Sequence, residues 1–198
     1  AAADTAIEVF QASRDALGAN PQDLPFSALY VFDSLGNATR EWVCGAADNH
    51  SLFPAEISRG GIWDFQSAWS KQTIALTDLS TTDGVPSGPW PKRPTQAGMI
   101  PLTGQGIDKP IGVLICGLNP HRPVSDEYLD FLKLISGQIA SRLASAHAFE
   151  TERRRATALA EAADMRDQAA AALEQLNRQL SSEVELRTAE RDRMRALF

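Results

Sequence analysis

Residues 96–120 read QAGMIPLTGQGIDKPIGVLICGLNP, and this stretch is the strongest indication of the fold in the sequence. Two apolar runs, QAGMIPL and PIGVLICGLNP, stand on either side of the turn sequence Thr103-Gly104-Gln105-Gly106. Because the runs are apolar and the segment between them is rich in glycine, the stretch predicts two strands joined by a turn. Pro110 agrees with this prediction, since a proline is tolerated at the start of a strand, where its missing N–H group is not needed.

A second strand pair lies nearer to the N-terminus. The run FSALYVFD, residues 26–33, is followed by the turn sequence Ser34-Leu35-Gly36-Asn37 and then by ATREWVCG, which predicts a β-hairpin. Thr5 and Glu8 have the capping-box pattern of a helix that ends at Gly18. The order is helix, two strands, a mixed segment, three strands and a long helix. It predicts an α+β fold, an antiparallel sheet with helices packed mainly on one face.

The last third of the chain has the composition of one long helix. From Ser125 to Phe198 there is no proline and a single glycine, Gly137, while alanine, glutamate, arginine, glutamine and leucine dominate. These are strong helix formers, and nothing in the run ends a helix. Ser125 is a favourable cap, and Asp126 in the first turn complements the helix dipole. A domain of this size cannot cover such a helix alone, so we expect it to have a partner.

The apolar residues of this helix repeat at the spacing of a coiled coil. They first recur every three or four positions, and beyond residue 158 they alternate by four and three, which is a heptad seam. We therefore expect a parallel homodimer through the C-terminal helix, with an interface of Leu132, Ile135, Ile139, Leu143, Leu159, Leu173, Leu180 and Val184. Asn177 and Arg187 also stand in the seam, which leaves two interpretations: a coiled coil of marginal stability or a solvated helix that frays alone.

Charge and composition restrict the function classes. The formal net charge is −6, and residues 151–198 contain nine basic and nine acidic residues, so the acidic excess belongs to residues 1–150. An acidic domain argues against a nucleic-acid partner, because phosphate binding needs a basic surface. The sequence contains no run of 18 apolar residues, so it predicts no membrane span. The first ten residues do not resemble a signal peptide. We expect a cytoplasmic protein without membrane contact.

The middle of the chain, residues 48–94, is irregular and rich in aromatic residues. A ligand pocket between this segment and the sheet would be lined by Trp63, Phe65, Trp69, Asp78, Trp90 and the neighbouring Met99. The alternative is that the aromatic residues form a satellite core under a long loop. The loop itself, STTDGVPSGPWPKR at 80–93, has a length that is uncommon in compact domains unless the loop is functional or mobile.

The strand pair "IPL…GVLICGLNP" and the helix "YLDFLKLISGQIASRLASAHAFETERRRA" resemble a GAF domain, most of all those of bacterial sensor histidine kinases. The tail "LNRQLSSEVELRTAERDRMRALF" resembles the linker that leads into a PAS domain in such kinases. The resemblance implies a GAF-like sensory domain in residues 1–150, with a pocket between the sheet and the middle segment. It implies a coiled-coil signalling helix in residues 151–198.

The motifs that carry chemistry in similar proteins do not match. His147 lacks the neighbours of a kinase phospho-acceptor histidine, and no glycine-rich ATP-binding segment follows it. Cys44 and Cys116 fit neither a bilin-attachment cysteine nor a zinc spacing, and we expect both to be buried in strands. The cyclic-nucleotide motif of phosphodiesterase GAF domains is also missing. The sequence therefore predicts no metal site, no cofactor and no enzymatic activity for this chain.

Three functional hypotheses remain. The first is a sensory module of a dimeric two-component signalling protein, in which an unknown small molecule or a partner biases two arrangements of the helix pair. The second is a dimerisation and spacer module whose pocket is vestigial. The third is a redox sensor or enzyme that acts through Cys44 or Cys116.

Overall fold

The computed structural model describes residues 5–57, 61–71, 73–103 and 109–195. Its elements are α1 (Ala6–Gly18), β1 (Ser27–Phe32), β2 (Ala38–Cys44), β3 (Glu56–Ile57), α2 (Phe65–Lys71), β4 (Ala75–Asp78), β5 (Gln96–Leu102), β6 (Gly112–Gly117) and α3 (Asp126–Arg195). By its internal contacts the chain divides into two compact units, Ala1–Phe149 and Glu150–Phe198. The predicted turn at 104–106 lies outside the described residues.

The six strands form one antiparallel sheet in the order β3-β2-β1-β6-β5-β4. β1 and β2 pair as the hairpin expected from the sequence, and so do β5 and β6. The two pairs are joined at the centre of the sheet, where Ser27 of β1 lies opposite Cys116 of β6 and Val31 lies opposite Gly112. The predicted α+β fold with an antiparallel sheet is therefore confirmed.

Both faces of the sheet are covered, so its central strands are buried on both sides. Every residue of β6 is buried, and along β1 Ala28 and Tyr30 face one way while Leu29 faces the other. We call the two layers the first core and the second core. The first core includes Phe26, Ala28, Tyr30, Phe53, Trp63, Phe65, Met99, Val113 and Ile115. The second core includes Val9, Leu17, Leu29, Trp42, Ile100, Leu114, Leu132, Ile139 and Leu143.

α1 and the first part of α3 supply the helices of the second core. α1 begins with the predicted capping box, because the Thr5 hydroxyl accepts a hydrogen bond from the Glu8 amide at 3.3 Å and the Glu8 carboxylate accepts one from the Thr5 amide at 3.2 Å. α3 begins after Ser125, whose hydroxyl accepts a hydrogen bond from the Tyr128 amide at 3.3 Å. The middle segment, with α2, covers the opposite face.

A buried hydrogen bond ties α3 to an open edge of the sheet. β4 pairs with residues 96–99 of β5, so β5 continues beyond the end of its neighbour. Pro101 stands in this extension, where it has no N–H group to leave unpaired. Its carbonyl oxygen accepts a hydrogen bond of 2.7 Å from the Ser136 hydroxyl, and Ser136 is almost completely buried.

We predict that Ser136→Ala destabilises the fold by about 1 kcal/mol, because the Pro101 carbonyl is left buried without its partner. Denaturant unfolding measures the change. Ser145→Ala is the matched control, since Ser145 lies on the same helix, is exposed and bonds within the helix to the Ser141 carbonyl. Both substitutions gain the same helix propensity. Equal stabilities of the two variants would contradict the prediction.

Candidate functional site

Three of the predicted pocket residues are packed together inside the first core. Trp63, Phe65 and Met99 are buried, and the Trp63 ring stacks on Phe53 with 6.1 Å between ring centroids. The indole nitrogen of Trp63 donates a hydrogen bond of 2.6 Å to the Leu52 carbonyl. The polar atom of this tryptophan is therefore satisfied by the main chain, and its ring is part of the packed layer.

Tyr30 brings a hydroxyl group into the same layer. Its ring meets Phe65 edge-on with 5.2 Å between centroids, and its hydroxyl donates a hydrogen bond of 3.0 Å to the Pro54 carbonyl. Burial raises the pKa of Tyr30 to about 12. The first core is therefore aromatic with few polar groups.

Trp69 packs at the border of the first core. It is half-buried, its ring lies 5.0 Å from that of Phe32, and the ammonium of Lys109 lies 5.0 Å from the ring centroid. Trp69 therefore adds to the aromatic layer and presents a cation–π contact at its rim.

Asp78 is not part of the buried layer. It is exposed, and its carboxylate accepts a hydrogen bond of 2.8 Å from the Ser80 amide. The backbone and side-chain hydrogen bonds from Ser80 lower the pKa of Asp78. Its role in the structure is to shape the turn that leaves β4.

Trp90 lies at a different place from the other predicted pocket residues. Its indole nitrogen donates a hydrogen bond of 2.9 Å to the Gln22 carbonyl, and its ring lies 4.9 Å from that of His121. Gln22 belongs to the loop before β1, and His121 belongs to the loop between β6 and α3. Trp90 thus fastens the 80–93 loop to the segment that precedes α3.

The 80–93 loop is held at further points. The guanidinium of Arg93 donates to the carbonyls of Thr82 at 2.7 Å and Ser80 at 3.0 Å. His50 accepts a hydrogen bond from the Leu52 amide at Nδ1, so its Nε2, 2.9 Å from the Gly84 carbonyl, is the donating nitrogen. The length and composition of this loop predict a mobile segment, and the structure holds the loop together from within through Arg93 and ties it to the domain through His50 and Trp90.

Gly88 permits the closest approach of this loop to the rest of the domain. Its φ is +58°, and a Cβ atom there would lie 2.9 Å from the Cα atom of Pro25. Both the backbone conformation and the contact distance require glycine. The loop therefore rests directly on the start of β1.

A group of main-chain carbonyls joins this loop to the start of α3. The Gln22 carbonyl accepts hydrogen bonds from Trp90 and from the Asn119 side-chain amide, the latter at 2.8 Å. The neighbouring Asp23 carbonyl accepts a hydrogen bond of 2.9 Å from the Tyr128 hydroxyl. The oxygen of this hydroxyl accepts a hydrogen bond of 3.2 Å from the main-chain amide of Asn119. We call these five residues the junction.

Arg122 closes the exposed side of the junction. Its guanidinium lies 5.4 Å from the ring centroid of Tyr128 and 3.4 Å from the carboxylate of Asp23. Burial raises the pKa of Tyr128, so its hydroxyl stays protonated and continues to donate at neutral pH. A cavity of about 490 Å³ lies beside it, lined by Asp23, Arg122, Pro123, Ser125, Glu127, Tyr128 and Phe131.

Sequence reasoning missed the junction, although two signals were present. Trp90 stands alone among prolines and glycines, a setting in which a large aromatic residue needs a packing partner. Tyr128 stands in the first turn of a helix, where a hydroxyl can reach the preceding loop. Gln22 and Asp23 could not be found from the sequence, because they take part through carbonyl groups that every residue has.

A second cavity, of about 440 Å³, lies where β4 ends short of β5. It is lined by Thr73, Ile74, Ile100, Pro101, Thr103, Leu129, Lys133 and Ser136. Its floor is apolar, and Lys133 at the rim is already paired with Asp130 at 2.7 Å. This cavity borders α3 and is separated from the first core by the sheet.

The structure places three of the predicted interface residues within the chain's own second core. Leu132, Ile139 and Leu143 are buried, and Ile135 is half-buried against the same layer. The sheet covers this stripe, which the sequence analysis assigned to a second chain. Leu159, Leu173, Leu180 and Val184 are exposed instead. They lie in the second unit, Glu150–Phe198.

The two cysteines and His147 lie on three different elements, β2, β6 and α3. Cys116 is buried in β6, and Cys44 is half-buried with its thiol 3.4 Å from the Arg14 carbonyl. His147 is exposed on α3. Among residues 5–57, 61–71, 73–103 and 109–195, no three histidine, cysteine or acidic side chains are placed to hold a metal ion. Over the same part of the chain, none of the helices is long and apolar enough to cross a bilayer.

No protein-family model and no curated protein matches this sequence. Its fold, by contrast, is similar to solved GAF domains. The GAF domain/HD domain protein from Geobacter sulfurreducens has 16% identity and a TM-score of 0.54, covering 73% of this chain and 95% of that chain. The GAF domain of a two-component sensor histidine kinase from Bacillus halodurans has 16% identity and a TM-score of 0.53, covering 75% and 99%.

A third similar structure is the GAF domain of an Acinetobacter phosphoenolpyruvate-protein phosphotransferase. It has 14% identity and a TM-score of 0.52, covering 74% of this chain and 87% of that chain. These likenesses establish that the chain has a GAF-like α+β fold, as the sequence analysis predicted.

We predict that both native thiols react slowly with an aromatic disulfide reagent at neutral pH. Cys116 is fully buried and Cys44 is partly buried, and burial raises the pKa of each thiol. Little thiolate is therefore available at neutral pH. Cys44 should react first, and Cys44→Ser should leave a single, slower thiol. Unfolding should release both. Rapid modification of either thiol in the folded protein would support the redox hypothesis instead.

We predict that Trp90→Phe loosens two segments together. The ring contact is largely kept, but the hydrogen bond to the Gln22 carbonyl is lost, so amide hydrogen exchange should become faster at residues 80–93 and at 119–128. Trp69→Phe is the control, because Trp69 contacts Phe32 and Lys109 and not the junction. Faster exchange confined to residues 80–93 would show that the junction does not couple the segments.

Proposed function

We propose that this chain is a non-catalytic sensory and dimerisation module of a two-component signalling protein. A small apolar molecule or a protein partner acts on the first core and the 80–93 loop. The response is a change at the start of α3, which two copies of the chain carry onward through a parallel pair of C-terminal helices. The parent protein is a sensor histidine kinase, and this chain supplies none of its phosphoryl-transfer chemistry.

The observation that carries the proposal is the shared carbonyl of Gln22. It accepts one hydrogen bond from Trp90, in the loop that continues from the first-core layer, and one from Asn119, which precedes α3. If the loop is displaced, Gln22 loses one donor and the hydrogen-bond chain through Asn119 and Tyr128 must adjust. A ligand that favours one position of the loop therefore also favours one arrangement of the first turn of α3.

The packing of the first core determines how a ligand would enter. Trp63, Phe65 and Met99 already occupy the layer, so an occupant must rearrange these side chains and shift the 80–93 loop. Such a rearrangement is the differential interaction that a switch needs, because a ligand that binds both states equally shifts nothing. The aromatic lining favours a small, flat or aliphatic molecule with few charges.

Two alternatives have their own support. The close packing of Trp63 and Phe65 is what a vestigial pocket would look like, and it favours a spacer module. The thiol hypothesis has less support, since burial raises the pKa of both cysteines. Fold alone does not decide function, because one fold serves many sites.

Native mass spectrometry of the purified chain tests the sensory proposal. We expect a dimer with an additional mass on each protomer that denaturing conditions remove. Trp63→Ala should abolish the extra mass or change its occupancy, whereas Trp69→Phe at the border should keep it. A dimer that never carries extra mass, and whose 80–93 loop exchanges identically in cell extract and in buffer, would favour the spacer module.

We predict that Leu180→Glu weakens the dimer by tenfold or more, because it would place a charge in the apolar seam; about 1.4 kcal/mol corresponds to tenfold. Leu186→Glu is the matched control: Leu186 is 65% exposed and lies off the seam, whereas Leu180 is 50% exposed and lies in it. Light scattering over a concentration series measures the difference. If both variants weakened the dimer equally, the assignment of Leu180 to the apolar seam would be wrong.

A further inference from the structure

The seam of the second unit has a defined heptad phase. Starting at Leu159 the seam positions alternate by four and three, which makes Leu159, Leu173 and Leu180 d positions and makes Asn177 and Val184 a positions. All of residues 151–193 are exposed in the single chain, including these five. The remaining a positions are Ala163 and Ala170, so Val184 is the β-branched residue among them. Leucine at d with a β-branched residue at a favours two parallel strands, and Leu180 with Val184 has this pattern.

The two arginines at d positions do not prevent this pairing. The guanidinium of Arg187 lies 2.7 Å from the carboxylate of Glu183, and that of Arg166 lies 3.2 Å from the carboxylate of Asp167. Glu183 and Asp167 occupy the g and e positions that flank the seam. The charged ends are therefore directed to the flank, and the aliphatic stems remain to cover the apolar residues.

Asn177 is different, because its short side chain cannot leave the seam. In a parallel pair aligned in register, each a residue faces the same residue of its partner, so the two Asn177 amides can donate to and accept from each other. After a shift of a parallel pair by one heptad, Asn177 faces Ala170 or Val184, and in an antiparallel pair, where a positions face d positions, it faces a residue such as Leu173. Its amide is then buried without a partner.

We propose that Asn177 selects a second copy of this chain as the partner and fixes the two helices parallel and in register. The proposal rests on the dimer of the proposed function and adds the residue that determines its alignment. A signal that rotates or slides one helix must then break the Asn177 pair. An asparagine at this position lowers the stability of the dimer but favours one alignment of its helices. A signalling helix needs one defined alignment more than it needs tight association.

Spin labels at two outward f positions test the alignment in the full chain. Gln168→Cys and Ser182→Cys are made one at a time in a Cys44→Ser background, in which Cys116 stays buried. A parallel pair in register gives the same short interchain distance at both positions, with narrow distributions. A parallel pair shifted by one heptad adds the same axial offset, about 10 Å, at both positions, and an antiparallel pair separates the labels further along the axis at one position or at both.

Asn177→Val is the deciding variant. We expect its dimer to dissociate about tenfold less readily and its distance distributions to broaden or split, because the unpaired-amide penalty for other alignments is gone. Gln179→Val, an exposed amide replaced two residues away and off the seam, should change neither quantity.

The outcomes separate the two proposals. A native chain that is monomeric at tens of micromolar overturns both the dimer and the role of Asn177. A native dimer whose narrow distances persist unchanged in Asn177→Val overturns the role of Asn177 alone. The expected pair of results, tighter association with lost alignment, is not produced by a merely stabilising substitution.

Discussion

The burial of both faces of one antiparallel sheet is the constraint on which the rest of the domain depends. β1 and β6 lie at the centre and present apolar side chains in both directions, so two separate layers must cover them. α1 and the start of α3 form one layer, and the irregular middle segment forms the other. Neither layer can be replaced by solvent, because the apolar side chains that it covers would then be exposed.

The junction links the two layers around the end of the sheet. Trp90 comes from the middle segment and Tyr128 from α3, and their hydrogen bonds end on the adjacent carbonyls of Gln22 and Asp23. Gln22 and Asp23 belong to a turn that is held by hydrogen bonds from the Asp23 and Leu24 amides to the Asn20 carbonyl. The arrangement suits a proposed sensor because the acceptor stays in place while either donor can be withdrawn.

Polar residues at apolar positions have a comparable role in the second unit. Arg166, Asn177 and Arg187 lower the stability of the proposed helix pair, and the arginines limit this loss by pairing with flanking carboxylates. The short side chain of Asn177 cannot reach the flanking positions, so this residue affects which alignment of the two helices is favoured. A pair of marginal stability with one preferred alignment can respond to the small energies that a ligand supplies.

Five of the six described strands, the hairpins, the capping box at Thr5 and the long helix could be predicted from the sequence, because they follow from periodicity and local hydrogen bonding within a few residues. The short strand β3 lies in the segment that the sequence analysis described as irregular. The sequence also placed Trp63, Phe65 and Met99 in one neighbourhood. The tertiary fold was needed to show that Leu132, Ile139 and Leu143 are buried in the second core, since an apolar helical stripe has the same pattern whether its own domain or a second helix covers it. The contact between Trp90 and Gln22 could not be predicted either. It joins residues 68 positions apart, and its acceptor is a main-chain carbonyl, which every residue has.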